Sequence, residues 1–330
     1  MFKKFFALAV SVSALLFARE ETPDRAQEGF VNTERGIEPW FTGTLIAPVG
    51  TVVPRGDFEI RSFVFMRVDT GVYDNGWGIH SRHNFYSFNP QVVALFGLTE
   101  WMDLQISPQF LWNTTHGHSA VHIGDLPIAL DFQLYPADKS WFPGVKLTLQ
   151  ESFPIGKYKN LGSTLSGVDG SGNGSYETTF NVLFYKVYHI RDLTFLSTTV
   201  SMGYTLASNV HLSGFNAYGG GFGTHGNLSP GNFFTGLFSF EYSLDRNWVF
   251  AMDTVYIHTG ATHFSGSKGT TSAGKSATVG GLSSDSINFS PSVEYNFSKD
   301  FGICMGCYFS GFGRNTQVFR SGVVNLVYTY

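Results

Sequence analysis

Charge is scarce in this 330-residue sequence. Only 14% of its residues are Asp, Glu, Lys or Arg, against about 25% in ordinary soluble proteins. A water-facing surface of normal polarity cannot be built from that supply. Cysteine is scarcer still: Cys304 and Cys307 are the only two, too few for a disulfide framework. No basic excess exists either, with 21 basic residues against 25 acidic and a net charge of −4, so nucleic-acid binding driven by bulk charge is excluded. Past the N-terminus no run of about 18 apolar residues occurs, which rules out helical membrane spans. What is plentiful is glycine, 38 residues, and aromatics, 16%. That bulk of apolar side chains excludes disorder.

The first 18 residues, MFKKFFALAVSVSALLFA, read as a secretory signal. Lys3 and Lys4 form a basic start, and the uncharged run from Phe5 to Ala18 is too short to cross a bilayer. Residues 19–56 follow as an N-terminal segment. It is charged and polar to about Glu38, then apolar and irregular in PWFTGTLIAPVGTVVPRG.

From residue 57 to 330 the pattern alternates with a period of two. In TEWMDLQISPQFLW, Met102, Leu104 and Ile106 share one face while Asp103, Gln105 and Ser107 share the other. Successive strand side chains point to opposite faces, so each segment has an apolar and a polar side. Twelve such segments start near Asp57, Ser87, Met102, Asp125, Val145, Tyr176, Leu193, Phe233, Trp248, Ser286, Ile303 and Gln317. Each has the length of a tilted transmembrane strand. Short charged turns such as LTEW, IRDL and LDRNW close one end. Long Gly/Ser/His-rich stretches at 69–84, 113–123, 155–174, 207–231 and 260–285 mostly close the other. Trp101, Trp141, Trp248 and Phe301 sit just past short turns, where an interfacial girdle belongs. The fold expected is all-β: a transmembrane antiparallel up-and-down barrel of about 12 strands with both termini periplasmic, in the outer membrane of a Gram-negative-type bacterium. A soluble β-sandwich also alternates, but it lacks this loop asymmetry and strand length.

Alternation then sorts the charges. Glu59, Arg61, Arg67, Asp103, Asp125, Asp131, Lys146, Glu241, Asp253 and Glu294 fall on the inward face. Glu151, Lys186 and Arg320 fall outward but near strand ends, where a charge facing lipid costs about 0–1 kcal/mol. Lys146 can pair with Asp131 across adjacent strands, and Glu59 with Arg61 on one face. Glu241, Asp253 and Glu294 have no inward Lys or Arg on their strands. Two readings stay open for these acids: a cation-favouring lumen constriction, or a structural network filling a narrow lumen. Two also stay open for the apolar half of residues 19–56: a plug in the barrel mouth, or a belt around the first strand. At the other end, Val324, Leu326, Tyr328 and the final Tyr330 resemble the C-terminal signal read by the barrel-assembly machinery.

Several motifs are bland on inspection. Gly269–Ser276, GTTSAGKS, matches a phosphate loop literally, but no strand leads in and the Gly/Ser-rich ATVGGLSSDS that follows is unfit for the helix the chemistry needs. Cys304 and Cys307 lie three apart on a strand, about 10 Å, so they read as two buried thiols rather than a disulfide. His80, His83, His116, His118 and His122 cluster in outward loops with no Cys or acid at ligand spacing, and no metal or cofactor is expected. His258 is the one histidine on an outward strand face; Ser243 and Thr254 are nearby in sequence, but no nucleophile pairing emerges and no enzyme is expected.

GIEPWFTGTLIAPVGTVVPRGDFEI and the turn-plus-strand unit FGLTEWMDLQISPQF resemble outer-membrane barrel transporters of the MetA-pathway-of-phenol-degradation type. The resemblance covers most of the mature chain in layout. It implies passive uptake of small, often aromatic or apolar compounds and carries over no catalytic residues. The expected function is a passive outer-membrane channel for small solutes, with outer-membrane lipids and the assembly machinery as partners. The alternative is a structural or surface-binding barrel with a closed lumen.

Overall fold

A computed structural model describes residues 40–137 and 141–330. The signal-like residues 1–18 and the polar stretch to Glu38 lie outside the described residues. The described residues form seventeen strands: β1 (Phe58–Tyr73), β2 (Ile79–Thr99), β3 (Met102–Ile106), β4 (Phe110–Thr115), β5 (His118–Ile123), β6 (Leu126–Tyr135), β7 (Gly144–Phe153), β8 (Glu177–Arg191) and β9 (Thr194–Ala207). There follow β10 (Val210–Ser213), β11 (His225–Ser229), β12 (Phe233–Ser243), β13 (Trp248–Thr259), β14 (His263–Ser267), β15 (Ser284–Asn296), β16 (Phe301–Arg314) and β17 (Gln317–Thr329).

Twelve of them close a ring in the order β1-β17-β16-β15-β13-β12-β9-β8-β7-β6-β3-β2, and β2 pairs back to β1. All pairings are antiparallel. The seam between first and last strands is held in register from Glu59↔Thr329 onward. There Phe58 and Tyr330 exchange backbone hydrogen bonds of 2.9 and 2.8 Å and stack their rings. Val324, Leu326 and Tyr328 alternate with the buried Val323, Asn325 and Val327, as the sequence pattern requires.

Polarity is inverted relative to a soluble protein. On β12, Leu237, Ser239, Glu241 and Ser243 are buried while Phe238 is exposed between them. Trp101, Trp141 and Trp248 are exposed just past short turns. An apolar outer face around a closed ring with a polar interior is the design that satisfies every backbone group in lipid. The protein is an outer-membrane β-barrel of twelve spans.

The outward-end connections depart from the expected loops. Residues 69–84 are mostly strand, since β1 and β2 run on to a tight turn at residues 74–78. Asp74 Oδ1 accepts the N–H groups of Gly76 and Gly78, each at 2.8 Å. Residues 113–123 likewise form the β4–β5 hairpin, turning at His116–Gly117. Above the membrane both strand faces meet water, so no alternation marks these extensions. The other three long stretches fold together. β10, β11 and β14 make a separate three-stranded sheet whose inner side buries Val210, Leu212 and Leu228 against Tyr158, Tyr218 and Phe264.

Candidate functional site

The inward charges form two kinds of arrangement. Some are neutralised by a neighbour on the wall. Arg61 Nε donates to Glu59 Oε1 at 2.5 Å, and Arg67 Nε to Asp69 Oδ1 at 2.7 Å, with the guanidinium 4.0 Å above the Phe319 ring. Lys146 Nζ donates to Asp131 Oδ2 at 2.9 Å, both side chains at most 2% exposed, and Thr148 donates its hydroxyl to the same carboxylate. Asp103 faces Asp131 directly across the β3–β6 pairing.

Asp103, Glu241, Asp253 and Glu294 are the other kind: buried carboxyls with no ion pair among the described residues. Three of them are met by the N-terminal segment. The Thr42 N–H donates to Glu294 Oε2 (3.0 Å), and the Ile46 N–H to Asp253 Oδ2 (3.1 Å). The Val53 N–H donates to Asp103 Oδ2 at 2.8 Å. Hydroxyls reinforce these bonds. Thr44 Oγ1 donates to Asp253 Oδ1 and Thr42 Oγ1 to Asn296 Oδ1, each at 2.6 Å. Asn296 Nδ2 in turn donates to the Trp40 carbonyl at 3.1 Å, and the Val52 N–H reaches Gln133 Oε1 at 3.2 Å. Hydrogen bonds of this kind contribute about 0.5–1.5 kcal/mol each. An irregular apolar segment thus has its N–H groups satisfied inside the ring by wall acids from β3, β13 and β15.

Apolar contact seats the rest of the segment. Leu45 packs with Cys304 and Val323, against Phe63, Phe65 and Tyr308. Val53 packs with Val93 and Leu95. The lumen wall therefore has an apolar sector on β1, β2, β16 and β17 and a carboxyl-rich sector on β12, β13 and β15. Glu241 and Glu294 lie on either side of β13, opposite Ala251 and Val249.

At the other mouth, Asp125 faces inward as expected but binds loop backbone, accepting the N–H groups of Gly156 (2.9 Å) and Asn173 (2.8 Å). Asn113 on β4 donates to the carbonyls of Val168 and Gly170, so residues 156–173 fold back over the barrel mouth. Within that loop Lys157 Nζ reaches Asp169 Oδ2 at 2.6 Å, and the Gly162 N–H the same oxygen at 3.0 Å. Burial pushes the Asp169 carboxyl up, but the Lys157 ammonium and these N–H groups outweigh it and hold it below the usual carboxylate range.

The remaining motifs resolve simply. Residues 269–276 come directly after β14, so a strand does lead in where loop was expected, but they make a turn closed by a Thr270↔Ser276 bridge, with no helix after it. Cys304 is a buried free thiol, but Cys307 is exposed on the outer face, correcting the expectation of two buried thiols: a barrel exposes its lipid-facing side to the bilayer rather than to a core. No group of three metal-binding side chains occurs among the described residues. His83 and His116 stack their rings, and both reach the Thr115 hydroxyl. His258 and Ser243 lie on opposite faces of the wall, Ser243 bonding the Phe195 N–H inside. His258 Nδ1 instead meets Asp285 Oδ1 at 2.7 Å, a partner no sequence spacing signalled.

Comparison with known proteins adds the fold only. No protein-family model matches the chain, and no curated protein matches it in sequence. Among solved structures, an outer membrane channel from Pseudomonas putida F1 superposes with a TM-score of 0.64 at 13% identity, over 87% of this chain and 100% of that one. The β domain of the Bordetella autotransporter BrkA reaches 0.45 at 7% identity, over 83% and 100%. The CymD monoaromatic hydrocarbon channel reaches 0.37 at 8%, over 83% and 88%. This chain shares its barrel fold with the Pseudomonas putida channel.

Proposed function

We propose that the protein is a passive outer-membrane channel for small solutes. In this reading residues 1–18 are the signal, residues 57–330 the barrel, and the segment 19–56 a plug whose described part, 40–56, sits in the periplasmic mouth. Both termini are then periplasmic, and Val324, Leu326, Tyr328 and Tyr330 are the signal for the barrel-assembly machinery. Asp103, Asp253 and Glu294 are the plug's seat. Glu59, Arg61, Arg67, Asp131 and Lys146 set the charge balance of the remaining wall.

One observation carries this reading over a permanently filled barrel. Ser290 Oγ and both polar ends of Asn325 are fully buried on the inner wall and have no hydrogen-bond partner among the described residues while the segment is seated. A buried polar group without a partner costs about 1–3 kcal/mol. A lumen built only to be filled would pair such groups or replace them with apolar ones. Water supplies the missing partners once the segment withdraws. The likeness in fold to a known outer membrane channel supports the same reading. So does the resemblance to MetA-pathway-type transporters, which suggests solutes with aromatic or apolar bodies.

The test is single-channel conductance of the refolded mature chain in a planar bilayer, beside a Thr42→Ala/Thr44→Ala variant that lacks two of the seat's hydroxyl donors. Rare openings in the parent and longer ones in the variant are expected. Silence in both overturns the channel and leaves the closed-lumen structural barrel.

A further inference from the structure

The two sectors of the lumen wall differ in a way that specifies a solute. Asp253 sits on β13 directly between Ser239 of β12 and Ser290 of β15 in the pairing register. One row along lie Glu241 and Ser292, opposite Ala251, and one row beyond them Glu294, opposite Val249. Three carboxyls and three hydroxyls thus share one patch of wall, each at most 5% exposed. No Lys or Arg forms an ion pair with any of the three carboxyls among the described residues. Arg61 acts on Glu241 and Glu294 from a distance but is itself hydrogen bonded to Glu59.

The segment satisfies this patch with neutral donors only: two backbone N–H groups and the Thr44 hydroxyl. Ser290 Oγ, beside Asp253, has no hydrogen-bond partner among the described residues. An ammonium group carries three donors and no acceptor, which suits a carboxylate flanked by hydroxyl oxygens. Its charge-assisted bonds are roughly twice as strong as the neutral ones it would replace. Beside this patch runs the apolar sector, where Phe63, Phe65 and Tyr308 pack around Val323.

Resting on the channel reading above, we propose that the solutes are small organic cations: an amine carried on an aromatic or short aliphatic body. The amine follows the patch around Asp253, and the body follows the sector around Phe63 and Phe65. The acids that seat the segment then serve twice, because its withdrawal bares them to the lumen.

Reversal potentials under bi-ionic gradients test this, with potassium, methylammonium and benzylammonium chlorides as probes. An electrical readout counts only the charged form, so leakage of free amine through lipid does not register. The expected result is permeation of benzylammonium well above chloride. Asp253→Asn should lower that ratio roughly tenfold, the loss expected for one charge-assisted bond. Asp253 also holds the segment, so Glu241→Gln is the companion variant. Among the described residues the segment's hydrogen bonds to wall acids go to Glu294, Asp253 and Asp103 rather than to Glu241, so its loss should lower the ratio while the segment stays seated. Conductance with no preference for the amines over chloride, or ratios unmoved in both variants, overturns the inference and leaves a channel. Silence in the parent and in the Thr42→Ala/Thr44→Ala variant overturns the channel itself.

Discussion

Replacing Gly97 with alanine asks whether residues 40–56 are a seated element that can leave. A Cβ built on Gly97 would lie 1.8 Å from the Pro54 carbonyl oxygen and 2.6 Å from that of Val53. Both are backbone atoms, so no side-chain rotation relieves the clash. Strand β2 cannot easily retreat, because it is hydrogen bonded on both edges: Phe96 pairs with Phe58 and Gly97 with Asp103. The segment must lift. Overpacking of this kind costs about 1–3 kcal/mol, which multiplies the open population by between about 5 and about 150. The protein carries its own reporter. Cys304 faces the lumen, is fully buried and packs beneath Leu45, whereas Cys307 faces outward and is removed as Cys307→Ser. The rate at which a small water-soluble methanethiosulfonate modifies Cys304 measures how often the segment swings clear. Gly97→Ala should raise that rate by the same factor. Gly302→Ala should act more weakly, since its Cβ meets the Thr42 hydroxyl, a side-chain end that can rotate away. Equal rates in parent and Gly97→Ala, with both barrels folded, would refute the idea that the segment is displaceable. Fast modification in the parent would show that the seat does not hold.

Two further outcomes follow from the wall and the outer loops. Lys146→Met should destabilise the barrel by about 3–5 kcal/mol, because it strands Asp131 beside Asp103 without a cation. The double change Lys146→Met/Asp131→Leu should recover most of that in thermal unfolding by circular dichroism, and no recovery would mean the pair is not the source. The Asp169 carboxyl, held below its ordinary range in the fold, adds stability that is complete above the unfolded value of about 3.9 and fades as pH falls through the lowered folded value. Hydrogen-exchange protection of residues 157–170 should therefore be flat from neutral down to about pH 5 and decline only in stronger acid. Asp169→Asn should lack that acid-range decline, and a parent that loses protection already near neutrality would contradict the assignment.

The barrel was legible because a membrane constrains every second residue. Within the bilayer an outward side chain must be apolar, so facing could be read from Asp103, Glu241 or Glu294 without knowing a single contact, and each is buried inside the ring. Neighbouring-strand pairs such as Lys146 with Asp131 were legible for the same reason. Legibility stops where that constraint stops. Above the membrane Gly71, His80 and Ser81 still pair as strand, past a register shift between Asp69 and Gly71, yet they read as loop because neither face there is obliged to be apolar. The sheet of β10, β11 and β14 draws its strands from two separate loops. Its buried Val210, Leu212 and Leu228 are only four-to-five-residue alternations inside Gly/Ser-rich stretches, too short to stand out.

The N-terminal segment is the more instructive case. Two deficits were visible along the chain and belonged to each other. Glu241, Asp253 and Glu294 faced inward with no cation on their strands to meet them, and GTLIAPVGTVV was too irregular for a strand or helix. Buried N–H groups must find acceptors somewhere, and buried carboxylates must find donors. Side-chain identity carries no trace of a backbone N–H, so pairing charges residue by residue could never locate the donor that Thr42, Ile46 and Val53 supply. Setting unpaired inward acids against unpaired irregular backbone does locate it. In a barrel whose lumen acids outnumber its lumen cations, the excess is then a measure of how much chain, or how much cationic solute, the lumen is built to hold.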